Sequence, residues 1–142
     1  MIAVDTNILV YSENRSAPLH HPARALLRQL AEGQQPWAIP WPCAYEFLRV
    51  ITHPRALKPP IPLGLALDEL RRHLESPSLR VVSETARHFE VMNQLLRDSQ
   101  AIGNTVFDAH IAAICVENGV DEILTADRDF SRFPLKSTNP FA

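Results

Sequence analysis

Apolar positions along this chain fall into two patterns, short continuous runs and longer stripes at helical spacing. The first run, Ile2-Ala3-Val4, starts almost at once and predicts a buried strand from Met1 to Val4. The polar segment Tyr11 to His20 predicts a loop or short helical turn. Pro22 then suits the first position of a helix whose stripe is Ala23, Leu26, Leu27 and Leu30, with Gly33 at its C-terminal cap. Trp37-Ala38-Ile39, bounded by Pro36 and Pro40, predicts a brief second strand. Pro42 opens a helix carrying Cys43, Phe47, Val50 and Ile51, and His53-Pro54 ends it.

The stretch from Arg55 to Pro62 holds three prolines and predicts a loop. In the next helix, Leu63, Leu67, Leu70 and Leu74 share one face, with Asp68, Arg71, Arg72 and Glu75 away from it. Leu79 to Val82 predicts a third strand, and Ser83 caps a helix with Ala86, Phe89, Met92, Leu95 and Leu96. Asn104 caps a further helix from Thr105 to Asn118, ending at Gly119. Ile123-Leu124-Thr125 predicts a fourth strand, Asp127 to Arg132 a turn or short helix, and Leu135 to Thr138 a fifth strand. Strands alternating with helices predict an α/β protein, a parallel sheet covered on both faces with right-handed crossovers. A length of 142 residues suits one domain spanning residues 1–142.

Several acids break these patterns. Asp5 ends the first apolar run, which places it at the carboxyl end of a strand, where ligands gather in open α/β sheets. An N-cap or Asx-turn role would also put an aspartate there. Asp127 follows the fourth run in the same way, and Asp129 stands two residues further on. Asp108 has Ile111, Ala112 and Cys115 at three, four and seven residues on, so it sits on the side of its helix that should face the core. An ionised carboxylate there costs several kcal/mol unless it is paired or bound to a metal. Glu46, beside Cys43 and Val50, poses the same question more weakly.

A doubly wound sheet brings Asp5, Glu46, Asp108 and Asp127 to one edge. Four acids without matching cations favour a hard divalent ion, and all-oxygen ligation suits Mg²⁺ or Mn²⁺. The six histidines are scattered, with no zinc-type His–Cys spacing, and four glycines supply neither a Walker loop nor a GxGxxG. Acid-only sites suit phosphoryl chemistry on a phosphorylated substrate.

Composition adds bounds. The chain is 46% apolar and 21% charged, as in ordinary globular proteins, and a net charge of −2 means that any nucleic-acid role needs a local basic patch. Arg24 with Arg28, the group Arg49, Arg55 and Lys58, and the pair Arg71 and Arg72 are the available cations. Trp37, Trp41 and Tyr45 suit base stacking, though core or interface anchoring is the commoner use of such residues. Two cysteines inside helical stripes, Cys43 and Cys115, suit buried thiols in a reducing compartment. With no signal sequence and no bilayer-length apolar run, a cytoplasmic location is expected, without a membrane partner.

Four pieces of the chain, in order, resemble the PIN-domain ribonucleases and most closely the VapC-type toxins of bacterial toxin–antitoxin pairs. They are Val4-Asp5-Thr6-Asn7, Glu46 on its helix, the run Asn104 to Ala113, and the run Leu124 to Pro134. Ala126 departs slightly from a position often held by Ser or Thr. The resemblance implies a three-layer α/β/α sandwich with a parallel sheet of about five strands. It implies a catalytic quartet of Asp5, Glu46, Asp108 and Asp127, with Asp5 and Asp108 the most direct Mg²⁺ ligands. Glu46 and Asp127 would bind a second ion or hold its water, Asn7 and Thr125 would support the carboxylates, and the role of Asp129 stays open. The implied reaction is metal-dependent hydrolysis of RNA leaving a 5′-phosphate, and the implied partners are RNA, a second copy of the chain and a VapB-like antitoxin. Two other classes fit an acidic pocket: a Mg²⁺-dependent phosphatase of a small phosphoester and a non-catalytic receiver-like module. Asn7 stands where a haloacid-dehalogenase-type phosphatase needs an aspartate, and a receiver keeps its key aspartate on the third strand.

Overall fold

A computed structural model describes all residues from Met1 to Ala142. Five strands form one parallel sheet: β1 (Ile2–Val4), β2 (Trp37–Pro40), β3 (Leu79–Val82), β4 (Glu122–Leu124) and β5 (Lys136–Thr138). Their order across the sheet is β3-β2-β1-β4-β5. The chain therefore leaves β1 towards one edge, then returns to place β4 on the other side of β1. The crevice at the carboxyl ends of β1 and β4 is the topological switch point, where ligands bind in such sheets. Register sets its walls: Val4 pairs with Leu124, so Asp5 and Thr125 leave the sheet side by side.

Side-chain alternation sorts the core into two layers, because successive strand residues point to opposite faces. Ala3, Ala38, Val82 and Ile123 face one cluster, which α5 (His88–Ser99) and α6 (Thr105–Glu117) complete. Val4, Trp37, Ile39, Leu79 and Leu124 face the other, under α1 (Thr6–Glu13), α2 (His20–Glu32), α3 (Trp41–Ile51) and α4 (Leu63–Leu74). This is the three-layer sandwich expected. On the first face the small residues Ala3 and Ala38 meet Ala109, Ala112 and Ala113, so α6 lies close against the sheet. No helix is long and apolar enough to cross a membrane.

Several local expectations are corrected. Helix α1 begins directly after Asp5 and runs to Glu13, where only a loop or turn from Tyr11 was expected. Its apolar positions, Ile8 and Leu9, are fully buried, and a helix of eight residues offers too short a stripe to read. Helix α2 starts two residues before Pro22. In α4 the face that packs is Ala66 and Leu70, while Leu63, Leu65 and Leu67 are exposed. A leucine stripe at helical spacing records an apolar face but not what covers it. Ser83 does not cap α5, which starts at His88, and Phe89 lies outside the core at 79% exposure. Trp37 is buried with its indole N–H donated to Ser78 Oγ at 3.1 Å, and Trp41 stacks on Tyr45 at 5.6 Å.

Candidate active site

The switch-point crevice opens into a cleft of about 470 Å³. Asp5, Glu46, Asp108 and Asp127 all line it, with Asn7, Tyr11, Phe107 and His110 among their neighbours. Each acid reaches the cleft from a different element, and the structure treats the four differently.

Asp5 is the N-cap of α1, and its Oδ1 accepts from the Thr6 backbone N–H at 2.7 Å. The capping interpretation of the sequence is therefore correct, but it is not the whole account. The same carboxylate accepts from Thr125 Oγ1 at 2.7 Å, from Asn7 Nδ2 at 3.2 Å and from Cys43 Sγ at 3.6 Å. Three side-chain donors on a residue only 6% exposed are far more than a cap requires. Burial nevertheless pushes its pKa up, against the hydrogen bonds from Thr125, Thr6 and Cys43.

The support is itself tied together. Asn7 also donates to Thr125 Oγ1 at 3.1 Å, and its Oδ1 accepts from the Ala126 N–H at 3.2 Å. Thr125 Oγ1 accepts from the Asp127 N–H at 3.0 Å. The ends of β1 and β4 are thus cross-linked, and Asp127 is placed by the same hydroxyl that holds Asp5. Asp127 in turn caps the short 3₁₀ helix Arg128–Arg132 by accepting from the Asp129 N–H at 2.8 Å.

Asp108 lies in the first turn of α6. Its carboxylate and those of Asp127 and Asp129 offer oxygens all within 4.8 Å of one another. Burial, then the charges of Asp127, Asp5 and Asp129, push Asp108 up to about 6, and Arg132 opposes them only weakly. No salt bridge neutralises any of these aspartates. A cluster of close carboxylates, partly buried and without a paired cation, offers oxygen donors only and fits a hard divalent cation.

Glu46 borders the same cleft from the middle of α3, but its carboxylate forms a two-point ion pair with Arg49 one turn on. Hydrogen bonding to Arg49 lowers its pKa. The close carboxylate cluster therefore contains Asp108, Asp127 and Asp129, with Asp5 adjacent and Glu46 paired to Arg49 outside it. Sequence reasoning left out Cys43 as a donor to Asp5 and Arg49 as a competitor for Glu46. The Glu46–Arg49 spacing of three residues was a readable signal for the second.

Comparison with known proteins agrees with this fold. The family model for the PIN domain matches residues 2–136. Ribonuclease VapC43 of Mycobacterium tuberculosis is 35% identical over 133 residues, spanning 94% of this chain and 90% of its own. Ribonuclease VapC48 of the same organism is 30% identical over 139 residues, spanning 97% and 96%. Among solved structures, VapBC2 from Rickettsia felis, bound to a DNA fragment from its promoter, superposes with a TM-score of 0.68 at 22% identity, covering 97% of this chain and 98% of the other. FitAcB from Neisseria gonorrhoeae gives 0.70 at 18% identity, covering 99% of each. The last two share the fold, and the first two carry the sequence relationship: the chain belongs to the PIN-domain family, among the VapC ribonucleases.

Proposed function

We propose that this protein is a divalent-metal-dependent endoribonuclease acting as the toxin of a VapBC-type toxin–antitoxin pair. The observation that carries this reading is the uncompensated cluster of Asp108, Asp127 and Asp129 beside Asp5, at the switch point of a PIN-domain sheet. These four residues would hold Mg²⁺ or Mn²⁺, which supplies polarisation of a phosphodiester oxygen and activation of water. Thr125 and Asn7 keep Asp5 in one orientation, and Thr125 does the same for the backbone under Asp127. Glu46, the remaining acid of the quartet that the sequence implies, would add a fifth carboxylate to these four if it left Arg49 for the ion or its water. The product carries a 5′-phosphate, and the protein works in the cytoplasm.

Apolar side chains left on the surface support two protein partners, a VapB-like antitoxin and a second copy of the chain. Phe107 stands at the cleft at 70% exposure, and Leu63 and Leu67, one turn apart on α4, are also exposed. A partner helix or tail laid over Phe107 would close the cleft.

The test is incubation with structured RNA and, separately, with a chromogenic phosphoester, each with Mn²⁺, with Mg²⁺ and with chelator. RNA cleavage that needs the ion and is lost in Asp127→Asn is the expected result. Phosphoester turnover without RNA cleavage would favour a phosphatase, and metal binding without either activity would favour a non-catalytic module.

A further inference from the structure

A second group of metal-ligating side chains lies beside the acidic cleft and takes no part in holding its carboxylates. Glu84 and His88 come from the connection after β3 and the start of α5, and His110 comes from α6. One carboxylate oxygen of Glu84 and one ring nitrogen of each histidine lie within 4.8 Å of one another. Glu84 Oε1 is 2.6 Å from His110 Nε2, and the two imidazoles meet edge to face with centroids 5.3 Å apart.

Behind them stands a buried carboxylate. Glu117 is shut off from solvent at its side chain and lies 2.6 Å from His88 Nδ1. Its other oxygen accepts from the Thr85 N–H at 2.9 Å and the Thr85 hydroxyl at 2.8 Å. Burial works to raise the Glu117 pKa, but the bonds from His88 and Thr85 outweigh it and leave it lowered. With both Thr85 donors on its other oxygen, Glu117 accepts from His88 Nδ1, which leaves the lone pair of a neutral His88 on Nε2. A carboxylate that fixes the tautomer of a histidine in this way is the usual outer support of a metal-bound imidazole. Both histidines and Glu84 remain partly open to solvent, so an ion can enter.

We propose that Glu84, His88 and His110 form a binding site for a borderline divalent ion of the Zn²⁺ class, oriented by Glu117 and separate from the acidic cluster. The donor set decides the ion: two imidazoles and one carboxylate suit Zn²⁺, whereas the all-oxygen cluster suits Mg²⁺ or Mn²⁺. Three protein ligands leave a fourth position open. The bound ion ties the β3–α5 connection and α5 to α6, two residues beyond Asp108.

The proposal is tested on the full chain by thermal unfolding with Zn²⁺ alone and by the visible spectrum of added Co²⁺. At about a hundredfold excess of Zn²⁺ over Kd, Tm should rise by roughly 5–11 °C. Co²⁺ should give the intense bands of a four-coordinate site. Both signals should disappear in Glu84→Gln and His88→Gln and persist in Asp108→Asn. Glu84 is exposed, so its variant keeps the fold, and circular dichroism checks the His88 variant. Absence of both signals in the wild-type chain, or their loss in Asp108→Asn with retention in Glu84→Gln, would overturn the assignment.

Discussion

At the start of α6, Asp108 meets Asp127 and Asp129, while two residues on His110 turns to Glu84 and His88. The two clusters share a helix and a distance scale, yet they carry charge in opposite ways. In the first, like charges face one another, and Asp108 is raised to about 6 by burial and by its neighbours. In the second, every carboxylate has an imidazole: Glu84 is lowered by its own backbone N–H and by His110, and Glu117, against burial, by His88 and Thr85. The first cluster has no salt-bridged cation of its own. The second is satisfied without one, and a metal there must compete with existing His–Glu bonds. The two should therefore be separable by ion type and by substitution.

The largest expected effect comes from removing a member of the acidic cluster. Asp108→Asn or Asp127→Asn should lower RNA cleavage by more than the ~100-fold typical of losing an outer support. Asp5→Asn should do the same while leaving the fold intact, since Asn still accepts the capping bond from Thr6. Single-turnover cleavage and circular dichroism check both. If Asp5→Asn unfolds the protein, the carboxylate with its donors Thr125, Asn7 and Cys43 is structural and the catalytic assignment of Asp5 fails.

That Asp5 serves both as cap and as site explains what the sequence disclosed. Short apolar runs with an acid at or soon after their end were readable because β1 and β4 are covered on both faces, so Ile2-Ala3-Val4 and Ile123-Leu124 carry no polar interruption. Asp108 was readable because Ala112 and Cys115 mark its side of α6 as core. What could not be read was whether side chains meet. Glu46 and Asp129 are both acids on short helical segments, yet Asp129 joins the cluster and Glu46 is taken by Arg49. His110 and Glu84 are 26 residues apart and looked scattered, because their meeting depends on how α5 and α6 pack. The leucines of α4 misled for the same reason: period alone does not identify the neighbouring element.

A smaller effect is expected from the hydroxyl that links both strand ends. Thr125→Val keeps the shape of the buried side chain but removes the donor to Asp5 and the acceptor for Asn7 and the Asp127 N–H. Cleavage should fall by about 10–100-fold, with weaker Mn²⁺ binding measured by calorimetry. An unchanged Mn²⁺ affinity would mean that Asp5 needs no orientation. Smaller still is Arg49→Ala. The Glu46–Arg49 pair is exposed and is worth about 0.2–1 kcal/mol. Freeing Glu46 should therefore lower the Mn²⁺ concentration needed for half-maximal cleavage by only about 1.4–5-fold. A rise instead would show that Arg49 serves RNA rather than restraining Glu46.

The finest test of the contrast is stability against pH with chelator present. Asp108 is raised from 3.8 to about 6, so between those values the folded state holds a proton that the unfolded chain has released. Its contribution is full below the unfolded value and is lost as pH rises through the folded one. Asp108→Asn has no such loss. The variant should match the wild type near pH 4 and exceed it above pH 6, by about 1 kcal/mol after allowance for solvent screening, or roughly 2–4 °C in Tm. Glu46, Glu84, Glu117 and Glu122 are lowered and act in the opposite sense, losing their contribution as pH falls through their folded values. They are present in both proteins and cancel in the difference. Mn²⁺ at neutral pH should reverse the order, because the ion stabilises only the chain that still has the Asp108 carboxylate. Equal melting curves at pH 8, with and without Mn²⁺, would mean that the acidic cluster is no more strained than the His–Glu one, and the distinction between the two would fall.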